Sequence, residues 1–575
     1  MNTSQWNNAC RAWLGQGNRL SWVIFSLFSL FTFTKTILFN QYAFHYHMVP
    51  NIMSSPAEFF GTVLPKLSMS VLLASLVFFM RDKRWMILLS FIIDTWCVAN
   101  LIYMRNNYIL LDAEAFNSSG NLHGYSASIL IYIEWGIDLL FYFLTCLMSM
   151  VFFFADRGAR SWKWALVTLL AGMFLHIAGD TLNGALPYNA IRRDAREQVY
   201  GPGFSRTVGR TSVLESPIYI LSDYAQMVKN QLPEHPLTDN DLHAIEPLAT
   251  GNPELTVDEP LIIILLESLE NWVCREDVMP NLWRLTQHEH VLYADRVHTQ
   301  IVGAPSADGQ MIVNTGLLPI DAGATCLHYS HNEYPALMKV VEGHSVCLLP
   351  HDPAVWNQTE MSPAFGYDTT IVFSDIDTLL FARLNELIDS GERHIQCITQ
   401  STHAPFVNQK YSSLEVPKDM PWVMSSYIRG FNALDDGLGL FIRKLETDER
   451  LRQFTIVITG DHRILHKEKR EQMMRYSREH GLDYNAYDDC LPLVIWSPRI
   501  SGNIHVTDEA YQMDIYPTVL ALLQAEDYDW KGFGVNLCDS VARNNRNLNP
   551  RQAAVLSDRM IRNNYFRVYT RWGDE

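Results

Sequence analysis

A central, mostly parallel β-sheet flanked by helices, preceded by a five-helix transmembrane domain, is the fold class that this sequence predicts. Three observations carry that expectation. Residues 261–266 form an unbroken Ile/Leu run that stops at Glu267, and residues 454–459 repeat the design before Gly460-Asp461-His462. A short apolar run without alternation reads as a strand buried on both faces, as in an α/β sheet. The third observation is a set of long apolar segments, all placed before residue 181.

The totals agree. A chain of 575 residues is too long for one core. Its net charge of −17 argues against a nucleic-acid binder, whose footprint is basic. Apolar content is 48%, an ordinary average that hides the N-terminal excess. Nine cysteines form no Cys-x-x-Cys unit, so a cysteine zinc site is not expected. The six beyond residue 258 are expected to pair in part if they face an oxidising compartment.

Taken in order, the first expected domain is 1–180. Its apolar segments are Leu20–Phe39, Phe60–Met80, Trp85–Met104, Ser128–Phe154 and Trp162–Gly179. Each approaches the roughly 20 residues that cross a bilayer. Arg11, Arg19, Arg81, Lys83, Arg84, Arg157, Arg160 and Lys163 crowd alternate loops. That bias puts the N-terminus in the cytoplasm and everything after residue 180 outside. Asp94, Glu134 and Asp138 fall within the expected spans. Intramembrane acids point to function by default, and pairing with Lys35 or Lys66 is the plainer reading.

Residues 181–258 read as a linker with an amphipathic helix near 216–229, ended by the turn cluster Gly251-Asn-Pro-Glu. Residues 259–540 read as an extracytoplasmic α/β domain. Strands are expected at 260–266, 344–349, 393–399, 454–459 and 491–496, and helices at 280–288, 306–315, 421–446 and 514–523. Residues 541–575 form a tail with no assigned structure.

Ligand chemistry in such sheets gathers beyond the carboxyl ends of the strands. Glu267, Asp461 and His462 sit there, and Ser306 opens an apolar helix after Gly303-Ala-Pro. Two carboxylates, an imidazole and a hydroxyl suit a hard-to-borderline divalent ion such as Mn²⁺ or Zn²⁺, with Mg²⁺ as a third candidate. A metal beside Ser306 would make its hydroxyl a nucleophile. Taken singly, Glu267 is a strand-end residue, Asp461-His462 a turn pair and Ser306 a helix N-cap. Their common position at one edge favours the joint reading. His403 in Thr402-His-Ala-Pro-Phe406 reads as a phosphate donor or general acid. Trp356 reads as a headgroup wall. His466 is a weaker candidate ligand, and Asp514 reads as a helix cap.

These motifs resemble the lipoteichoic acid synthase-like family of membrane phosphotransferases, within the alkaline phosphatase/sulfatase superfamily. Leu266-Glu267-Ser268 is similar to the family's first metal-ligand strand end, and Gly460-Asp461-His462 to its second metal pair. Ser306-Ala-Asp308 followed by Asn314-Thr-Gly-Leu-Leu-Pro319 is similar to its nucleophile segment, which more usually has Thr where this chain has Ser306. Ser401-Thr-His403-Ala-Pro-Phe resembles the substrate-histidine segment, and Trp356-Asn357 the headgroup tryptophan. Where the family has an Arg two residues past that tryptophan, this chain has Gln358. An Arg grips phosphate bidentately and a Gln does not.

The resemblance implies transfer of a phosphoglycerol-type group from a membrane phospholipid, through phospho-Ser306, to an extracytoplasmic glycan or lipid. It also implies one divalent ion held by Glu267, Ser306, Asp461 and His462, substrate contacts from His403 and Trp356, and a bacterial plasma-membrane location. Phosphoethanolamine transfer, phosphate-ester hydrolysis and non-catalytic lipid binding are the alternatives. A true sulfatase is not expected, because no Cys/Ser-x-Pro-x-Arg motif stands at the nucleophile.

Overall fold

A computed structural model describes residues 18–45, 56–107, 110–111, 116, 132–152, 160–182, 212–218, 220–221, 224, 235–321, 323–373, 377–404, 406–464 and 467–569. The chain divides into two compact units, 1–119 with 132–232 and 120–131 with 233–575.

The first unit is helical among its described residues. It contains α1 (Arg19–His45), α2 (Pro56–Ser75), α3 (Trp85–Asn107), α4 (Trp135–Phe152) and α5 (Trp162–Leu182). Four apolar stretches, in α1, α2, α3 and α5, are long enough to cross a membrane. The expected fourth segment, Ser128–Phe154, lies partly outside the described residues, at 128–131 and 153–154. Its helix starts only at Trp135 and its apolar part is Trp135–Met150. Glu134 precedes the helix and Asp138 lies in its first turn, where both face Arg105. Asp138 takes Arg105 in a two-pronged contact, with both N···O distances 2.8 Å. Glu134 and Asp138 thus stand at a helix start rather than inside a span. Asp94 is within α3 and pairs with Lys35 of α1 at 2.5 Å. Most of the expected helix at 216–229, as well as His466, lies outside the described residues.

The second unit is built on a nine-stranded sheet. Its strands are β1 (Leu261–Leu266), β2 (Val291–His298), β3 (Ser345–Leu349), β4 (Thr369–Val372), β5 (His394–Ile398), β6 (Thr455–Gly460), β7 (Leu491–Trp496), β8 (Asn503–Val506) and β9 (Ala510–Tyr511). The order is β4-β3-β5-β1-β6-β7-β2-β8, with β9 on β2. Only β7 runs against its neighbours. The Ile/Leu run of β1 is explained by its place between β5 and β6. Leu261, Ile263 and Leu265 enter one core, while Ile262, Ile264 and Leu266 enter the core on the opposite face. All five expected strands are present. β2, β4, β8 and β9 were not expected from the sequence.

Helices that matter to the site are α6 (Asp239–Ile245), α7 (Pro280–Thr286), α8 (Pro305–Thr315), α9 (Gln358–Ala364), α10 (Asp377–Asp389), α11 (Trp422–Thr447), α12 (Lys467–Glu479), α13 (Ile515–Leu522) and α14 (Pro550–Arg562). Helix α14 starts on a capping box between Asn549 and Gln552. It buries Ala553, Leu556, Met560 and Ile561 in the first of the two sheet cores. Eight of the nine cysteines are described, and all eight are free thiols. The expected partial pairing is therefore not found among the described residues.

Candidate metal and nucleophile site

The site forms where β1 and β6, adjacent in the sheet, end together. Glu267 follows β1 and Asp461 follows β6. Side-by-side parallel pairing brings Leu266 opposite Gly460, so the next residue of each strand falls at one place. Ser268 then adopts a left-handed conformation, φ 61°. This turns the chain so that its N–H donates to Asp461 Oδ1 at 2.8 Å. The His462 N–H donates to the same oxygen at 2.7 Å.

Two glycines let the backbones approach. A Cβ on Gly460 would stand 2.3 Å from the Leu269 carbonyl oxygen, and one on Gly309 would stand 2.2 Å from that of Asp461. Gly309 therefore lets α8 press directly on the Asp461 backbone. That contact brings Ser306, one turn earlier, into reach of the acids. Ser306 is not the helix cap: Ala304 holds that position, and Ser306 lies in the first turn. Its Oγ is 3.2 Å from Glu267 Oε2 and 3.2 Å from His462 Nε2. The His462 Nε2 is in turn 3.3 Å from Glu267 Oε1 and 3.6 Å from Asp461 Oδ2.

Glu267, Asp461 and His462 are all buried, and their ligand atoms converge within 4.8 Å. The chemistry of the set fits a divalent cation. The Asp461 Oδ2 is a buried carboxylate oxygen without a hydrogen-bond partner. The His462 Nδ1 is engaged by the Arg463 carbonyl at 2.9 Å, which leaves Nε2 facing the acids. Fixing one ring nitrogen in this way orients the other as a ligand. Burial works against charge on every group here. In Glu267 the adjoining His462 outweighs it and holds the carboxyl down at about 2. In Asp461 burial wins, reinforced by the Glu267 charge, and the carboxyl is pushed up to about 7. In His462 burial is overcome by Asp461 and Glu267, which raise the imidazole to about 10. A cation taken up here competes with that imidazole proton.

His403 lies in the loop after β5, near enough to act electrostatically on Glu267. Its Nδ1 faces the Ala404 carbonyl at 2.7 Å. Trp356 lies in the loop after β3, at the same carboxyl edge of the sheet, in a turn where both it and Asn357 have positive φ (51° and 53°). Such backbone costs about 1–3 kcal/mol per residue and gathers at functional sites. Gln358, two residues on, is buried and points to Gln310 of α8.

Several supporting residues were not singled out from the sequence. Asp308 Oδ2 accepts the N–H groups of Val302, Gly303 and Ala304 at 2.8, 3.0 and 3.1 Å, bracing the loop ahead of Ser306. Burial raises its carboxyl to about 6 despite those bonds. Glu270 forms a buried ion pair with Arg470 at 2.5 Å and accepts the Ile464 N–H at 3.0 Å, which secures the loop carrying His462. Asp377 accepts from the backbone N–H groups of Gln400 and Ser401 and from the Ser401 hydroxyl, fixing the loop that carries His403. Thr399 and Thr402 tie that loop to the Glu267 backbone at 2.9 and 2.7 Å. His351 feels the Glu267 charge, though burial lowers its imidazole below the usual range. Asp514 stands at the N-cap position of α13, as expected; its side chain caps the turn before it, accepting the Tyr511 N–H at 2.8 Å, and pairs with the part-buried Arg546.

Two family profiles match the chain. The lipoteichoic acid synthase N-terminal domain matches residues 5–211, and the sulfatase domain matches residues 326–525. No curated protein sequence matches. Among solved structures, the lipoteichoic acid synthase LtaP from Listeria monocytogenes is similar at 21% identity, covering 52% of this chain and 82% of that one, with a TM-score of 0.45. The Streptococcus pyogenes phosphoglycerol transferase GacH, solved with sn-glycerol-1-phosphate, is similar at 15% identity over 57% of this chain and 89% of that one, TM-score 0.39. The integral membrane phosphoethanolamine transferase EptA from Neisseria meningitidis is similar at 13% identity over 87% of this chain and 95% of that one, TM-score 0.48.

Proposed function

The chain belongs to the lipoteichoic acid synthase-like membrane proteins of the alkaline phosphatase/sulfatase superfamily, and on that premise we propose that it transfers a phospholipid headgroup phosphate through Ser306. The observation that carries the reading is the placement of the Ser306 hydroxyl 3.2 Å from both Glu267 and His462, beside the unpartnered Asp461 Oδ2. Glu267, Asp461 and His462 would hold one divalent ion, with Ser306 Oγ as a further ligand. That ion, when bound, would lower the pKa of the Ser306 hydroxyl and offset the charge of the phosphate oxygens.

The residues do the rest. Ser306 loses its proton and attacks the headgroup phosphorus. The new Oγ–P bond forms as the bond from phosphorus to the diacylglycerol oxygen breaks, and diacylglycerol leaves with a proton. An acceptor hydroxyl then attacks the same phosphorus, and Ser306 leaves with its proton restored. His403 contacts the phosphate and Trp356 the headgroup. The start of α8 adds N–H groups and a positive dipole to the phosphate side. Attachment to a membrane-spanning unit keeps the site near its lipid donor, outside a bacterial plasma membrane with the N-terminus in the cytoplasm. A glycan or lipid outside the membrane supplies the acceptor hydroxyl.

The test is diacylglycerol release. The full chain in nanodiscs of phosphatidylglycerol or phosphatidylethanolamine, given Mn²⁺ or Zn²⁺, is expected to release diacylglycerol. A chelator is expected to stop it. No release with either lipid and any of these metals would sink the transferase reading and leave the lipid-binding alternative.

A further inference from the structure

A buried chain of amides runs from α9 to the nucleophile helix. The Ser362 Oγ lies 3.1 Å from Gln358 Oε1, and the Gln358 Nε2 donates to Gln310 Oε1 at 2.6 Å. Gln358 and Gln310 are 3% and 1% exposed. With its oxygen committed to Gln358, Gln310 ends the chain on its NH₂ group. That Nε2 is buried and has no hydrogen-bond partner. Gln310 is four residues beyond Ser306 in α8, so the two share a helix face. Gln358 follows directly on the strained Trp356–Asn357 turn. The free donor is thus carried one helical turn beyond the nucleophile, and through Gln358 it is tied to the turn assigned to the headgroup.

The polarity of this chain has a chemical consequence. A buried N–H without an acceptor is unfavourable, and a ligand oxygen reaching it would recover the loss. The terminal hydroxyls of a glycerol headgroup can accept; the ammonium of ethanolamine has three donors and no acceptor. We propose that Gln310 is a specificity-determining residue, whose free amide N–H receives a hydroxyl oxygen of the donor headgroup and discriminates against an ammonium group. The proposal rests on the transferase reading above. Gln358 fixes the amide's orientation, and the Trp356–Asn357 turn shifts to admit the headgroup. Gln358 thus belongs to the specificity apparatus through its partner, not through a grip on phosphate.

The experiment compares kcat/KM for phosphatidylglycerol and phosphatidylethanolamine, with the full chain in nanodiscs and a soluble phosphodiester without either headgroup as a common reference. The native chain is expected to favour phosphatidylglycerol. Gln310→Met is expected to lower kcat/KM for phosphatidylglycerol by about 10- to 100-fold, while ethanolamine turnover changes less than about 3-fold. Gln310→Glu, which puts an acceptor in place of the donor, is expected to move the ratio toward phosphatidylethanolamine by a similar factor. A native preference for phosphatidylethanolamine would overturn the inference. Equal losses for both lipids in Gln310→Met would also overturn it, assigning the donor to the phosphate that they share. Should the soluble diester be turned over while the lipid ratio stays fixed in both variants, the specificity claim alone fails. Should no substrate at all be turned over, the transferase reading fails and takes this inference with it.

Discussion

Each unit of the molecule buries a cluster of charge, and the two clusters are built differently. In the helical unit, Lys35 meets Asp94 at 2.5 Å and also reaches the hydroxyls of Ser90 and Thr145 at 2.8 and 2.6 Å. Arg105 meets Asp138 in two places and the Tyr132 carbonyl at 2.8 Å. Each cation in these groups is answered by a neighbouring acid. In the α/β unit, Glu267, Asp461 and His462 crowd three titratable groups together, press a hydroxyl against them, and leave Asp461 Oδ2 without a hydrogen bond. Burying a charge is expensive unless it is paired. A cluster that satisfies itself holds helices together; one that does not is ready for a cation. Acids in a membrane span and acids at a strand end look equally suggestive in a sequence, and closure separates them.

The contrast can be tested from its strongest side downward. Ser306→Ala removes the group that bonds to phosphorus, so transfer is expected to fall by about 10³-fold or more while metal uptake persists. Headgroup turnover by mass spectrometry, alongside metal content, checks both halves. Asp461→Asn is expected to weaken metal affinity by about 100-fold, read by calorimetry. The same titration has a pH signature. His462 carries a proton up to about 10, so metal uptake below that pH releases it. Affinity is therefore expected to fall as the pH is lowered. Titrations in buffers of different ionisation enthalpy should count a released proton, and a count of zero at neutral pH would contradict the assignment of His462.

Stability probes come next. Glu270→Gln leaves Arg470 buried without its acid, and loss of about 3–5 kcal/mol is expected in denaturant unfolding. The closed cluster is expected to behave oppositely with respect to catalysis. Replacing Lys35 by Met together with Asp94 by Leu removes both charges, and transfer per folded molecule is expected to stay within about 3-fold of the native value. Loss of transfer in a well-folded double variant would move this intramembrane pair into the working machinery and erase the distinction.

What the sequence discloses follows the range of the interactions. β1 and β6 are legible because burial on both faces leaves an unbroken apolar run, and Glu267 and Asp461-His462 stand out as the carboxylates and imidazole that end such runs. β2 is not, because Asp295 and Arg296 interrupt it near its partly exposed end, and the short edge strand β4 is only half-buried. Ser306 is visible as a hydroxyl at a helix start; its approach to Asp461 is not, since that depends on Gly309 meeting a carbonyl more than a hundred residues away. Glu270 with Arg470, 200 residues apart, and Asp377 with Ser401, 24 apart, are likewise pairings that no local pattern announces. The helical segments are readable by apolar length; that Glu134 and Asp138, at the start of α4, meet Arg105 of α3 is not. Gln358 is legible in the sequence only as a residue that lacks the phosphate grip of an Arg; that it faces Gln310 is a contact between segments 48 residues apart, which no local pattern announces.

The central claim is that Ser306 takes the phosphorylated headgroup covalently. The most direct measurement is the intact mass of the full-length chain after incubation with Mn²⁺ or Zn²⁺ and one phospholipid, without acceptor, followed by peptide mapping. A glycerophosphate or ethanolamine-phosphate adduct on Ser306, absent from Ser306→Ala, is the predicted result. Diacylglycerol release with Ser306 unmodified, or an adduct mapped to another residue, would contradict the account.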